Sequence, residues 1–91
     1  MQQYIWETPS EINRNLAKRL KAIRKRKGYT QEQLAVRCNV SYGALKHFEQ
    51  TGRISLIGLT KIAMELDLAE ELRSLFTEVP YKSLEEVLRD Q

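Results

Sequence analysis

Cys38 and His47 are the one cysteine and the one histidine of the chain, and they limit the covalent and metal chemistry open to it. A thiolate nucleophile needs a base or a cation beside it, and a structural zinc site takes four ligands. One residue of each kind satisfies neither requirement, and a lone thiol closes no intramolecular disulfide. No glycine-rich phosphate loop and no pair of carboxylates at a glycine-rich site accompanies them. Cys38 occupies an apolar position of a helical segment and reads as a small core residue. The sequence therefore predicts a protein that is not an enzyme and carries no metal and no cofactor.

Non-covalent chemistry is better represented. Residues 1–53 carry eleven Lys and Arg against four Glu, a balance of +7, whereas residues 54–91 carry four basic against eight acidic residues, a balance of −4. A net charge of +3 thus hides a strongly basic half, the footprint expected where a protein meets phosphates. The acidic half reads either as a solvated surface or as a partner-binding face. With 91 residues, 42% of them hydrophobic and 30% charged, the chain is sized for one globular domain. It has no apolar run near the roughly 18 residues that span a bilayer, and MQQYIWETPSE has neither the basic region nor the apolar stretch of a signal peptide. A cytoplasmic location, with no membrane partner, is the expectation.

The elements that must position these charges are helices. Thr8-Pro9-Ser10-Glu11 forms a capping box with proline at the first helical position. Ile12, Leu16, Leu20 and Ile23 then fall on one stripe, and Gly28 offers a left-handed end. The cationic last turn, Arg24-Lys25-Arg26-Lys27, reads as a solvated helix end favoured by the dipole. Thr30-Gln31-Glu32-Gln33 is a second capping box, opening a short helix with Leu34, Ala35 and Cys38 that stops at Asn39. Ser41 caps a third helix from Tyr42 to about Gln50, with Leu45 and Phe48 on one face and Gly52 beyond it. Ser55 caps a fourth with Leu56, Leu59, Ile62, Ala63 and Leu66 as its apolar positions, broken at Asp67-Leu68. A fifth is expected over roughly Glu70–Thr77, and the box Ser83-Leu84-Glu85-Glu86 starts a sixth. Residues 1–8 form an N-terminal segment, 9–79 the domain, and 80–91 a helical extension.

Two short helices joined by three residues make a helix-turn-helix when a small residue lets them cross closely, and Ala35 is that residue. The stretch TQEQLAVRCNVSYGALKHFEQTGR resembles the Cro and phage-repressor family, or XRE-type regulators. Its Thr-Gln opening, Leu-Ala pair, Val40-Ser41 turn and Phe48-Glu49 pair carry the resemblance over residues 16 to about 68. Asn39 departs from the family's usual glycine, but asparagine tolerates positive φ. The resemblance implies an all-α, compact, five- to six-helix lambda-repressor-like DNA-binding domain, with the helix-turn-helix at residues 31–51. Its third helix would enter the major groove. Tyr42, Lys46 and His47 then match base-reading positions, with Ser41 and Gly43 at the groove edge. Gln31, Gln50 and Arg53 match backbone-contact positions, and Arg14 and Lys18 are further candidates. Gly43 removes one side chain that the family often uses for reading.

The same resemblance implies a transcriptional regulator, expected to be a repressor, that binds a palindromic operator in double-stranded DNA as a homodimer. Leu72, Leu75 and Phe76 are the candidate dimer interface, although they could equally close the core over the fourth helix. The alternative is an antitoxin that neutralises a toxin protein through its acidic face and autorepresses its operon. Tyr4, Ile5 and Trp6 are apolar for a free tail and suit either packing back or an unstructured end.

Overall fold

The computed structural model describes residues 7–78; the Tyr4-Ile5-Trp6 segment, the extension over 80–91 and its Ser83 capping box lie outside them. Five helices follow one another: α1 (Pro9–Arg26), α2 (Gln31–Cys38), α3 (Tyr42–Thr51), α4 (Leu56–Glu65) and α5 (Ala69–Arg73). There is no strand among the described residues, so the all-α reading holds. None of these helices is long and apolar enough to cross a membrane.

Local chemistry sets the ends of four of them. Thr8 Oγ1 accepts the Glu11 N–H at 3.1 Å, and Glu11 accepts the Thr8 N–H in return at 2.8 Å. Thr30 and Gln33 repeat the exchange at 3.0 and 2.9 Å. Ser41 and Ser55 cap α3 and α4 by accepting the Ala44 and Gly58 N–H groups, each at 3.0 Å. At the carboxyl ends, α1, α2 and α4 close with the same pair of reversed bonds around one left-handed residue. For α2 these are the Val40 N–H to the Ala35 carbonyl at 3.0 Å and the Asn39 N–H to Val36 at 3.3 Å, with Asn39 at φ 57°. Gly28 and Asp67 stand in the equivalent place in α1 and α4. The expected turn at Asn39 and break at Asp67 are therefore both present.

The core is built from Ala17 and Leu20 of α1, Leu34, Ala35 and Cys38 of α2, Leu45 and Phe48 of α3, and Ile62 and Leu66 of α4. Each large side chain buried there contributes roughly 1.5–3 kcal/mol. Helix α1 packs on α3, α2 on both α3 and α4, and α4 on α5. Gly52 fixes the first of these contacts. Its φ is 81°, and a Cβ there would stand 2.6 Å from the Asn13 carbonyl carbon and 2.8 Å from the Arg14 nitrogen.

Three expectations need correction. On α1 the predicted Leu20 is buried, Leu16 is half-buried and Ile23 packs on the core, but Ile12 is left 50% exposed, and Ala17 and Arg24, which the predicted stripe did not include, are buried. Leu56 lies 75% exposed at the start of α4 and is not part of the core. Helix α5 ends at Arg73 instead of about Thr77. No side chain caps it, it buries none of its residues, and the chain turns left-handed at Phe76. Leu72 is half-buried, but Leu75 and Phe76 point to solvent, so those two do not close the core.

Candidate nucleic-acid interface

Burial of Leu45, Phe48 and the Glu49 side chain decides which way α3 faces. At 3.6 residues per turn the opposite side must carry Gly43, Lys46, His47 and Gln50, while Tyr42, in the first turn, flanks the buried side; all five are exposed. The Lys46 ammonium lies 5.8 Å from the centre of the Tyr42 ring, within cation–π range, so these two side chains share one patch. Ser41 stands at the amino end, with its hydroxyl oxygen engaged as the cap. Gly43 leaves open space: a Cβ there would meet nothing within 4 Å. The face can donate hydrogen bonds from Lys46, His47, Tyr42 and Gln50, and it is narrow where Gly43 lies.

The amino end of α2 adds a second set of donors. Thr30 takes the Gln33 N–H and the Leu34 N–H goes to the Thr30 carbonyl. The Gln31 and Glu32 amides have no internal acceptor among the described residues, and such amides at a helix start attract anions. The Gln31 side chain is engaged on one side, giving an Nε2 hydrogen to Glu49 Oε1 at 2.8 Å.

Arg53 follows Gly52, with its backbone N–H held by Thr51 Oγ1 at 3.1 Å while Thr51 donates to the His47 carbonyl at 2.8 Å. The close passage of Gly52 over Asn13 and Arg14 brings Arg53 alongside the first turns of α1. Arg14 and Lys18, four residues apart, share a side of α1, and both are exposed. The expected backbone-contact residues thus come from three separate elements: Gln31 from α2, Gln50 and Arg53 from the end of α3, and Arg14 and Lys18 from α1.

Two residues not expected to matter join these elements. Arg24 is not solvated: it lies buried, sending Nε to Glu49 Oε2 at 2.7 Å, Nη2 to Oε1 at 3.0 Å and Nη1 to the Tyr29 carbonyl at 2.7 Å. The Glu49 side chain is 3% exposed and carries the sole acidic charge on α3, so this fork neutralises it. Lys27, from the same cationic turn, reaches Asp67 at 2.7 Å, and that hydrogen bond raises its pKa. Arg24 sits four residues after Leu20 and seven after Ala17, which is the spacing that marks it as inward-facing. Cys38 is the core residue it was read as. Burial pushes its thiol pKa up, so the sulfur is protonated at neutral pH.

Residues 15–63 match the family model of a helix-turn-helix domain. No curated protein and no solved structure gives a significant match. The matched span holds most of α1, all of α2 and α3, and most of α4, which is more than half of the chain. With Thr30, Asn39, Ser41 and Gly52 ending the two helices where such a motif needs them ended, the chain belongs to the helix-turn-helix domain family, a family of DNA-binding domains.

Proposed function

We propose that the chain is a sequence-specific transcriptional regulator of the XRE type, which represses from a palindromic operator that it binds as a homodimer. The observation that carries this reading is the α3 face: Tyr42, Lys46 and His47 stand exposed together, and the acid of that helix is paired away behind them. Lys46 donates to guanine O6 or N7, His47 donates to a base acceptor, and Tyr42 packs on a thymine methyl or bonds a phosphate. Ser41 and Gly43 border the groove. Gln31, Gln50, Arg53, Arg14 and Lys18 hold the sugar–phosphate backbone and so set register without choosing sequence.

Homodimerisation is supported by apolar surface exposed on α4 and after α5. Leu75 and Phe76 are exposed after α5, and Leu56, Ile57 and Met64 are exposed on α4. A two-fold pairing through Leu72, Leu75 and Phe76 would set two α3 helices on successive turns of one groove, roughly 34 Å apart. Exposed Leu75 and Phe76, placed among Glu70, Glu71 and Glu78, also favour a second reading, an antitoxin that captures a toxin protein there.

Fluorescence anisotropy with the region upstream of the coding sequence and with random duplex, each at two salt concentrations, tests the proposal. Tight binding to the upstream duplex, with shallow binding to the random one, is expected. Equal, equally salt-steep binding to both contradicts sequence specificity. Light scattering tests the first use of Phe76: a wild-type dimer that Phe76→Glu converts to a folded monomer supports the operator-binding homodimer, and a wild-type monomer contradicts it.

A further inference from the structure

We infer that Glu49, clamped by Arg24, is a positioning residue for the DNA-backbone contact of Gln31, an inference that rests on the DNA-binding reading above. A glutamine amide at a helix start rotates freely, and its oxygen and nitrogen ends are nearly the same shape. Only the nitrogen end can donate to a phosphate, and an amide held by nothing presents either end. Glu49 removes that ambiguity. As a carboxylate it only accepts, so Nε2 must face it, and the observed bond from Gln31 Nε2 to Oε1 is 2.8 Å. The second Nε2 hydrogen has no acceptor among the described residues, next to the unpaired backbone amides of Gln31 and Glu32.

Glu49 can orient an amide because it is itself held. Arg24 grips both carboxylate oxygens, at 2.7 and 3.0 Å, and is anchored by the Tyr29 carbonyl at 2.7 Å. The Arg24 and Glu49 side chains are 7% and 3% exposed. The guanidinium also cancels the charge that would otherwise repel a phosphate near Gln31. One chain of bonds therefore runs from α1 through α3 to the amino end of α2, and it fixes the donor direction of Gln31 relative to the recognition helix. The Arg24–Glu49 pair is buried and offers DNA no exposed donor of its own, so while the fold is intact it reaches the DNA backbone through Gln31.

A double-mutant cycle on a mixed-sequence duplex of about 20 base pairs tests this, with melting curves taken on every variant. Gln31→Ala is expected to weaken binding about five- to tenfold. Glu49→Asp keeps the charge that Arg24 needs but withdraws the carboxylate from Gln31. It should weaken binding by a similar factor alone and not at all when added to Gln31→Ala. The pair Arg24→Met with Glu49→Leu replaces the ion pair by apolar side chains, an exchange that buried sites commonly tolerate. Its melting temperature should match or exceed the wild type, while its affinity falls by the Gln31→Ala factor. Losses that multiply in the cycle, an apolar pair that binds like the wild type, or a Gln31→Ala variant with full affinity would each overturn the positioning role. Failure of the wild-type protein to bind any duplex would instead overturn the DNA-binding reading itself, and this inference with it.

Discussion

Helix α3 and the α4–α5 stretch each leave one face uncovered, and the two faces differ in kind. The α3 face offers Tyr42, Lys46, His47 and Gln50, all able to donate hydrogen bonds, on a helix capped at both ends by Ser41 and Gly52. The α4–α5 surface offers Leu56, Ile57, Met64, Leu75 and Phe76, and it ends in a five-residue helix without a side-chain cap. A polar face on a rigid, doubly capped helix suits hydrogen-bond geometry, which fails when the donor wanders. An apolar face on a short helix asks only for a complementary surface. Under the proposed function the first face recognises bases and the second associates, and the following measurements break or sharpen that division.

The largest effect belongs to what holds α3 in place. Glu49→Leu alone leaves Arg24 buried without a counter-charge and is expected to cost about 3–5 kcal/mol in chemical denaturation. Gly52→Ala meets both a left-handed backbone and the Asn13–Arg14 backbone, and it should cost about 3 kcal/mol. Either variant should lose both faces together, since each loosens the frame that separates them.

The next effects should fall on one face only. Lys46→Ala or His47→Ala is expected to cost about 1–3 kcal/mol of discrimination at one or two base pairs and to leave the melting temperature and light scattering unchanged. Phe76→Glu should do the reverse, giving folded monomers with unaltered base preference per half-site; Phe76 is 90% exposed, so circular dichroism should show a normal fold. A Phe76→Glu chain that unfolds would show that this residue belongs to a core, and the division of faces would fail.

Smaller effects separate local packing from either face. Cys38→Ala should cost about 1 kcal/mol at neutral pH. Because burial raises the folded thiol pKa, the wild type binds the proton more firmly when folded. Its contribution is present below the unfolded thiol pKa and is lost as pH rises through the folded one, so the gap between wild type and Cys38→Ala should narrow in alkali. Gly43→Ala, whose Cβ has open space, should raise stability by roughly 0.5–1 kcal/mol in thermal melts.

Much of this arrangement is legible along the chain, because its determinants are local. Thr8 with Glu11, Thr30 with Gln33, Ser41, Ser55, Asn39 and Gly52 each act within a few residues, so the spans of α2 and α3 and the exposed positions of α3 follow from spacing alone. What escapes is long-range. Arg24 and Glu49 are 25 residues apart, and a cationic turn read by itself looks solvated. The approach of Gly52 to the Asn13 and Arg14 backbone likewise joins distant residues, and no periodicity within α1 records it. Helix α5 fails for a related reason: Leu72, Leu75 and Phe76 have helical spacing, but by then Ile62 and Leu66 already complete the core, so nothing repays the ordering of another turn.

The central claim is that the α3 face reads sequence, and selectivity tests it most directly. A duplex selected from a random pool by the wild-type protein is titrated against a scrambled duplex, with the wild type and with Lys46→Ala/His47→Ala. The account predicts that the double variant keeps wild-type affinity for the scrambled duplex and loses most of the preference for the selected one. Equal losses on both duplexes, or an undiminished preference, would contradict it.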